Sequence, residues 1–190
     1  LDVPYNVDGS SPEDLKDYYI QHYVSQLETL ISLLERHRGV KLEKDKLKQT
    51  IELSNRASEL WLKIQDYRKN VPGPMGAREA FSAVFFMLCI PGTEQAASFY
   101  EKLCGELEQR VKQGVKEKHR LVWDNLPLWF DLQIFRYLEA LGAVVVAETF
   151  SHVWAGSLDS SKPYESLARK HLSNMANCVI ERRIDLITSL

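Results

Sequence analysis

The sequence predicts a helix-rich α/β protein: a long helical hairpin and further helices, followed by a βαβα unit of a parallel sheet that is truncated. Three observations lead there. Apolar residues recur every three or four positions through residues 11–113. A continuous β-branched run, Val144-Val145-Val146, then reads as a strand covered on both faces. Short strand, helix and buried strand follow one another across residues 119–147, the order of a βαβ unit. The expected division is a helical region over 1–117, with the hairpin at 11–69 and helices at 77–90 and 93–113, and a partial α/β unit over 118–190.

Each element has its own reason. Ser10 and Ser11 before Pro12, Glu13 and Asp14 combine a hydroxyl cap, a first-turn proline and acids against the dipole. Leu15, Tyr19, Tyr23, Leu27, Leu30 and Leu34 then share one helix face, and Arg36, Arg38 and Gly39 end it. A second helix is expected from about Lys44 to Lys69, with Leu53, Ala57, Leu60, Ile64 and Tyr67 inward and Trp61 at the edge. The pair forms an antiparallel hairpin. Pro72-Gly73-Pro74 breaks the pattern. The third helix, 77–90, is apolar on nearly every side and should be buried. Thr93 caps the fourth, whose face carries Ala96, Tyr100, Leu103, Leu107 and Val111.

The period then changes. His119–Trp123 is a short strand and Asp124-Asn125-Leu126-Pro127 a turn. Leu128–Leu141 reads as a helix with Leu132, Phe135, Leu138 and Leu141 inward, and Gly142 suits the left-handed position after it. Ala143–Ala147 is the buried strand; a loop over Thr149–Lys162 leads to a last helix near Pro163. Two parallel strands cannot cover their own faces and edges. The sheet is therefore expected to be cut short, and the apolar ends, Leu1–Tyr5 and Ile184–Leu190, suggest an excised segment.

Composition removes several function classes. With 24 Lys and Arg against 26 Asp and Glu, the net charge is -2, which argues against a nucleic-acid backbone as partner. The longest apolar run, Ala83–Pro91, is far too short to span a membrane. Cys89, Cys104 and Cys178 are widely separated, which suits a reducing, cytoplasmic setting. They have no metal-site spacing and read as small core residues, so no metal ligand is assigned.

Candidate chemistry comes from position. Ligands of open α/β sheets bind at the carboxyl ends of the strands. Two loops emerge there, Trp123–Phe130 and Glu148–Trp154, and both combine large aromatics with hydrogen-bonding groups. Trp123, Asn125, Trp129 and Trp154 are the candidate substrate-binding residues, and Glu148 and Ser151 the candidate catalytic ones. Glu148 at the end of a hydrophobic strand suits a general acid or base, or a cap for the next loop. The tryptophans equally suit plain packing. Lys112, Lys116, Lys118, His119 and Arg120 cluster before the first strand and could meet coenzyme phosphates, although a solvated helix end explains them as well. The free N–H groups near Leu128 offer an anion site without a glycine-rich cradle.

The order of parts resembles a known family. Leu-Asp-Val-Pro leads into the hairpin that ends at Tyr67-Arg68-Lys69-Asn70-Val71-Pro72-Gly73-Pro74-Met75. Then come Tyr100-Glu101-Lys102-Leu103, Arg120-Leu121-Val122-Trp123-Asp124-Asn125-Leu126-Pro127-Leu128-Trp129 and Leu141-Gly142-Ala143-Val144-Val145-Val146. This resembles the interior of a 2-hydroxyacyl-CoA dehydratase or benzoyl-CoA reductase subunit. The resemblance implies Rossmann-like or flavodoxin-like domains with helical additions, and a paired homologous subunit. It also implies an ATP-dependent activator protein that donates one electron, a [4Fe–4S] cluster held by three cysteines in the complete enzyme, and an acyl-CoA substrate that passes through a ketyl radical anion. Cys89, Cys104 and Cys178 do not fall on the family's cluster motifs, so no cluster is expected on this chain alone, and the segment is expected to be inactive by itself. Two competing readings remain: a non-enzymatic helical module that docks a partner through residues 11–69, and a metal-free enzyme using Glu148 and His152 as an acid/base pair.

Overall fold

The computed structural model describes residues 17–111, 113, 117–174 and 180–189. The helix start at Ser10–Asp14, the amino end Leu1–Tyr5, Leu190, Lys112, Lys116 and Cys178 lie outside the described residues. In order, the elements are α1 (Asp17–Arg38), α2 (Lys44–Arg68), α3 (Ala77–Ala83), α4 (Phe85–Cys89), α5 (Glu94–Arg110), β1 (His119–Trp123), α6 (Gln133–Ala140), β2 (Ala143–Glu148), α7 (Thr149–His152), α8 (Pro163–Leu172) and α9 (Ile180–Ser189). The α/β, helix-rich class is observed. The described residues form two units, one up to Glu52 together with Leu158–Ser189, the other Leu53–Ser157. This division differs from the expected one at residue 117, because the chain returns and α8 covers α1.

In the first unit, Ile20, Tyr23 and Leu27 of α1 bury against Ala168 and Leu172 of α8. The Tyr23 ring stacks on His171 at 5.8 Å. The apolar face of α1 thus meets α8, where the sequence suggested a hairpin with α2. Its later residues, Leu30, Leu33 and Leu34, are exposed. Gly39, at φ +65°, ends the helix as read from the sequence. The Glu35 carboxylate then holds the turn, accepting from Leu42 N at 2.8 Å and Lys41 Nζ at 2.7 Å.

The second unit is built on the rest of α2. Ala57, Trp61 and Ile64 are buried with Met75, Ala80, Val84, Ala96, Tyr100 and Leu107. Trp61 stands at the centre of the buried stripe rather than its edge, and its Nε1 donates to Ser151 O at 2.8 Å. The expected third helix is two, α3 and α4, meeting at Val84. The Tyr100 hydroxyl explains the break: it donates to Ala83 O at 2.9 Å and accepts from Met87 N at 3.1 Å. Those two groups would bond each other in a continuous helix, so a side-chain oxygen has been spliced into the ladder. Phe85 and Cys89 are exposed, contrary to the buried helix expected there.

The two strands are parallel, with His119 opposite Ala143 and Trp123 opposite Glu148, and the register shifts between Leu121 and Val122. Gly142 takes φ +84° before β2, and Lys118 crosses so close to it that a Cβ would meet the lysine chain at 3.0 Å. In β2, Val144, Val145, Ala147 and Glu148 are buried, whereas β1 is exposed up to Val122. α6 begins at Gln133 rather than Leu128. Phe135 is its buried residue, Leu132 and Leu138 pack partly inward, and Leu141 is exposed. Asp131 Oδ1 accepts from Gln133 N at 3.0 Å, so the N–H groups expected near Leu128 are not a helix terminus. Pro163 opens α8 as read from the sequence.

Removing the spliced oxygen tests its role. Tyr100→Phe leaves the Ala83 carbonyl and the Met87 N–H without the hydroxyl and is expected to lower stability by about 1–2 kcal/mol, measured by urea denaturation.

Candidate functional site

The carboxyl end of β2 is organised around a buried ion pair. The inward stripe of α2 runs through Ser54, Ala57, Trp61 and Ile64 and, four residues later, reaches Arg68. The side chains of Arg68 and Glu148 are 1% and 0% exposed. Arg68 Nη1 donates to Glu148 Oε2 at 2.6 Å and to Gln65 Oε1 at 2.8 Å. Its Nη2 donates to Glu148 Oε1 and to Val145 O, and its Nε to Met75 O at 3.2 Å. All five guanidinium N–H groups are therefore used. Ser151 Oγ donates to Glu148 Oε2 at 2.9 Å and lies 3.0 Å from Glu148 O. A buried charge is tolerated only when its geometry and remaining hydrogen bonds are complete, as they are here.

Glu148 and Ser151 are the two candidate catalytic residues. Both are fully buried and bonded to neighbours, so in this structure they hold the end of β2 to α2. Sequence reasoning passed over Arg68. The available signal was a cation placed four residues after Ile64 on the apolar stripe, just ahead of the proline break.

The four aromatic-loop candidates split into two sorts. Asn125 has φ +77°, its backbone N donates to Thr149 Oγ1 at 2.8 Å, and its own Oδ1 accepts from Leu126 N. Thr149 Oγ1 in turn donates to Asp124 Oδ1, so Thr149 ties the two loops together. Trp123 donates its Nε1 to Leu126 O at 3.1 Å and meets Phe135 edge-on. Trp129 packs on Phe81, Phe85 and Phe150, and Trp154 on Phe150. The tryptophans thus converge through one aromatic cluster. The Nε1 of Trp154 is buried without a hydrogen-bond partner.

A cleft of about 430 Å³ lies between α2 and the sheet, lined by Gln65, Arg68, Lys69, Arg120, Leu121, Val122, Val146, Ala147 and His152. None of the six candidate residues lines it. Burial, reinforced by the Arg68 charge, pushes the His152 imidazole down to about 4, so it is neutral at physiological pH. Glu148 is bonded to Arg68 and Ser151 and does not line this cleft, whereas His152 does. From the basic cluster, Arg120 is engaged, holding Glu117 at 2.8 Å and Arg68 O at 3.2 Å.

The described cysteines do not fit an iron–sulfur cluster. Cys89 is exposed on α4, while Cys104 is buried on α5 with Sγ 3.6 Å from Leu60 O. Burial pushes the Cys104 thiol up, away from the thiolate that ligation needs. Among the described residues no three His, Cys, Asp or Glu side chains are grouped to hold a metal ion. No described helix is long and apolar enough to cross a membrane.

Comparison with known proteins decides the family. The family model for 2-hydroxyglutaryl-CoA dehydratase, D-component, matches residues 1–190. This chain belongs to that family. It is 32% identical over 174 residues to the alpha subunit of (R)-2-hydroxyglutaryl-CoA dehydratase from Acidaminococcus fermentans, covering 86% of this chain and 36% of that protein. It is 28% identical over 209 residues to a benzoyl-CoA reductase subunit from Thauera aromatica, covering 98% of this chain and 47% of that one. The alpha subunit of (R)-phenyllactyl-CoA dehydratase from Clostridium sporogenes is 26% identical over 164 residues, 81% of this chain and 39% of its own length. The chain therefore spans less than half the length of these relatives. The family resemblance read from residue order is confirmed.

Two measurements follow from the geometry. Arg68→Met strands the buried Glu148 carboxylate and is expected to destabilise by about 3–5 kcal/mol. Adding Glu148→Leu to it should recover part of that loss, giving a double-mutant coupling in urea unfolding. For His152, the folded state resists a proton that the unfolded chain accepts near 6.5. Its contribution is complete above pH 6.5 and is lost as the pH falls from there towards about 4. His152→Gln should flatten that part of the urea-midpoint profile against pH.

Proposed function

We propose that this chain is part of a cytoplasmic acyl-CoA dehydratase or reductase subunit and frames the binding of a CoA thioester. The observation that carries the reading is the family match along the whole chain, shared with dehydratase and reductase subunits whose names all contain a CoA thioester. In this reading Arg68, Glu148 and Ser151 are positioning residues. They fix the carboxyl end of β2, from which the loop bearing His152 and Trp154 emerges, so the loop is held without solvent-exposed charge. His152 stays neutral and offers one ring N–H and one acceptor nitrogen to a ligand.

The reading extends to a paired homologous subunit and an ATP-dependent activator as partners, with the chain inactive alone. Radical chemistry at a [4Fe–4S] cluster is assigned outside the described residues, and no step carried by them runs through one. Dehydration and ring reduction are both compatible with this role.

A second reading has one observation in its favour. Leu30, Leu33, Leu34, Val40 and Leu42 are exposed along the end of α1 and the turn after it, as a helical protein-interaction module would require. In that reading thioesters are bystanders. Isothermal titration of the chain with a 2-hydroxyacyl-CoA and with benzoyl-CoA separates the two. Saturable binding of either thioester, without binding of the corresponding free acid, is the expected result. Absence of binding by every CoA thioester overturns the proposal.

A further inference from the structure

We infer that the cleft between α2 and the β1–β2 sheet seats the neutral, amide-bearing pantetheine arm of the CoA thioester, and not its phosphates. This rests on the acyl-CoA reading above and names the part of the molecule that the cleft takes.

The charges lining the cleft are already matched. Arg68 is held by Glu148. Arg120 is held by Glu117 at 2.8 Å and by the carbonyls of Arg68, Lys69 and Asn70. Lys69 meets Asp66 at 3.1 Å. A phosphate entering here would have to compete with carboxylates for every cation. Arg68 is also too deeply bonded to turn towards it.

What remains unspent is neutral and polar. Gln65 is 4% exposed, its Oε1 is taken by Arg68, and its Nε2 is buried with no partner. A buried N–H of this kind costs about 1–3 kcal/mol unless a ligand satisfies it. His152 lines the same cleft, and its ring makes no hydrogen bond among the described residues. Neutral imidazole presents one donor and one acceptor, and a secondary amide presents one of each in return. Leu121, Val122, Val146 and Ala147 supply an apolar wall for methylene and methyl groups. At about 430 Å³ the cleft lies at the small end of ligand sites, about 300–1,000 Å³. That is room for one slender arm, not for the arm and a nucleotide together.

Calorimetric titration of the chain with pantetheine, with CoA and with adenosine 3′,5′-bisphosphate tests this. Pantetheine should bind saturably and compete with the thioester, with an affinity insensitive to added salt, and the bisphosphate should do neither. Gln65→Glu keeps an oxygen that can accept from Arg68, replaces the amide donor and adds an ionisable carboxyl beside the Arg68–Glu148 pair. It should weaken pantetheine roughly tenfold, and Lys69→Ala should leave it unchanged. His152→Leu, which removes no side-chain hydrogen bond among the described residues, should also weaken it and serves if Gln65→Glu does not fold. Bisphosphate binding without pantetheine binding, or a larger loss from Lys69→Ala than from Gln65→Glu, overturns the inference. If the thioester binds but both cleft substitutions are silent, the inference falls and the acyl-CoA reading stands. If no CoA species binds, both fall.

Discussion

The buried pair of Arg68 and Glu148 is the constraint on which the second unit depends. It joins the last turn of α2 to the last residue of β2, 80 positions later in the chain. The same guanidinium also reaches the carbonyls of Met75 and Val145, so it fastens the segment after the proline break and the strand itself. Two unpaired ions in such a place would each carry a desolvation penalty of several kcal/mol. Complete donor and acceptor satisfaction makes the arrangement tolerable, and it makes the pair specific: no shift of α2 along the sheet preserves all five bonds.

A smaller device does related work one layer away. The Tyr100 hydroxyl stands where the helical bond between Ala83 and Met87 would be. It marks the α3–α4 junction at Val84, while its ring packs on Trp61 at 5.3 Å and on Phe99. Trp61 in turn donates to Ser151 O, beside the ion pair. Core packing and the end of β2 are thus coupled through a short chain of contacts: Tyr100, Trp61, Ser151, Glu148 and Arg68. At Tyr100 and Trp61, the polar tip of an otherwise apolar side chain meets a backbone group.

Functionally, this separates two kinds of residue that sit close together. Glu148 and Ser151, with every polar group engaged, build the frame. Gln65 and His152 keep hydrogen-bonding capacity to spend and line the cleft. The family to which the chain belongs includes both dehydratase and reductase subunits. Under the acyl-CoA reading proposed above, a neutral, mildly polar cleft suits the CoA portion that the names of these relatives have in common.

Much of the fold was legible in the residues. Thr93 capping α5, Gly39 and Gly142 in left-handed positions, Pro163 opening α8 and the covered face of Val144 and Val145 all follow from local rules of backbone and burial. The order of these elements also carried the family resemblance. Other features are set by contacts distant in sequence. The period of α2 could not say whether Trp61 or its neighbours faced the core, nor that a cation belonged on that stripe. Nothing in residues 77–90 announces that a tyrosine from the next helix will enter their ladder. The apolar stripe of α1 did not reveal that its cover would come from α8, well over a hundred residues later. Local sequence thus determined which segments are helix or strand and which faces are apolar, because those depend on neighbours a few residues apart. Only the tertiary structure decided that Glu148 is a tethered carboxylate rather than a free one, because that depends on the cation that folding carries to it.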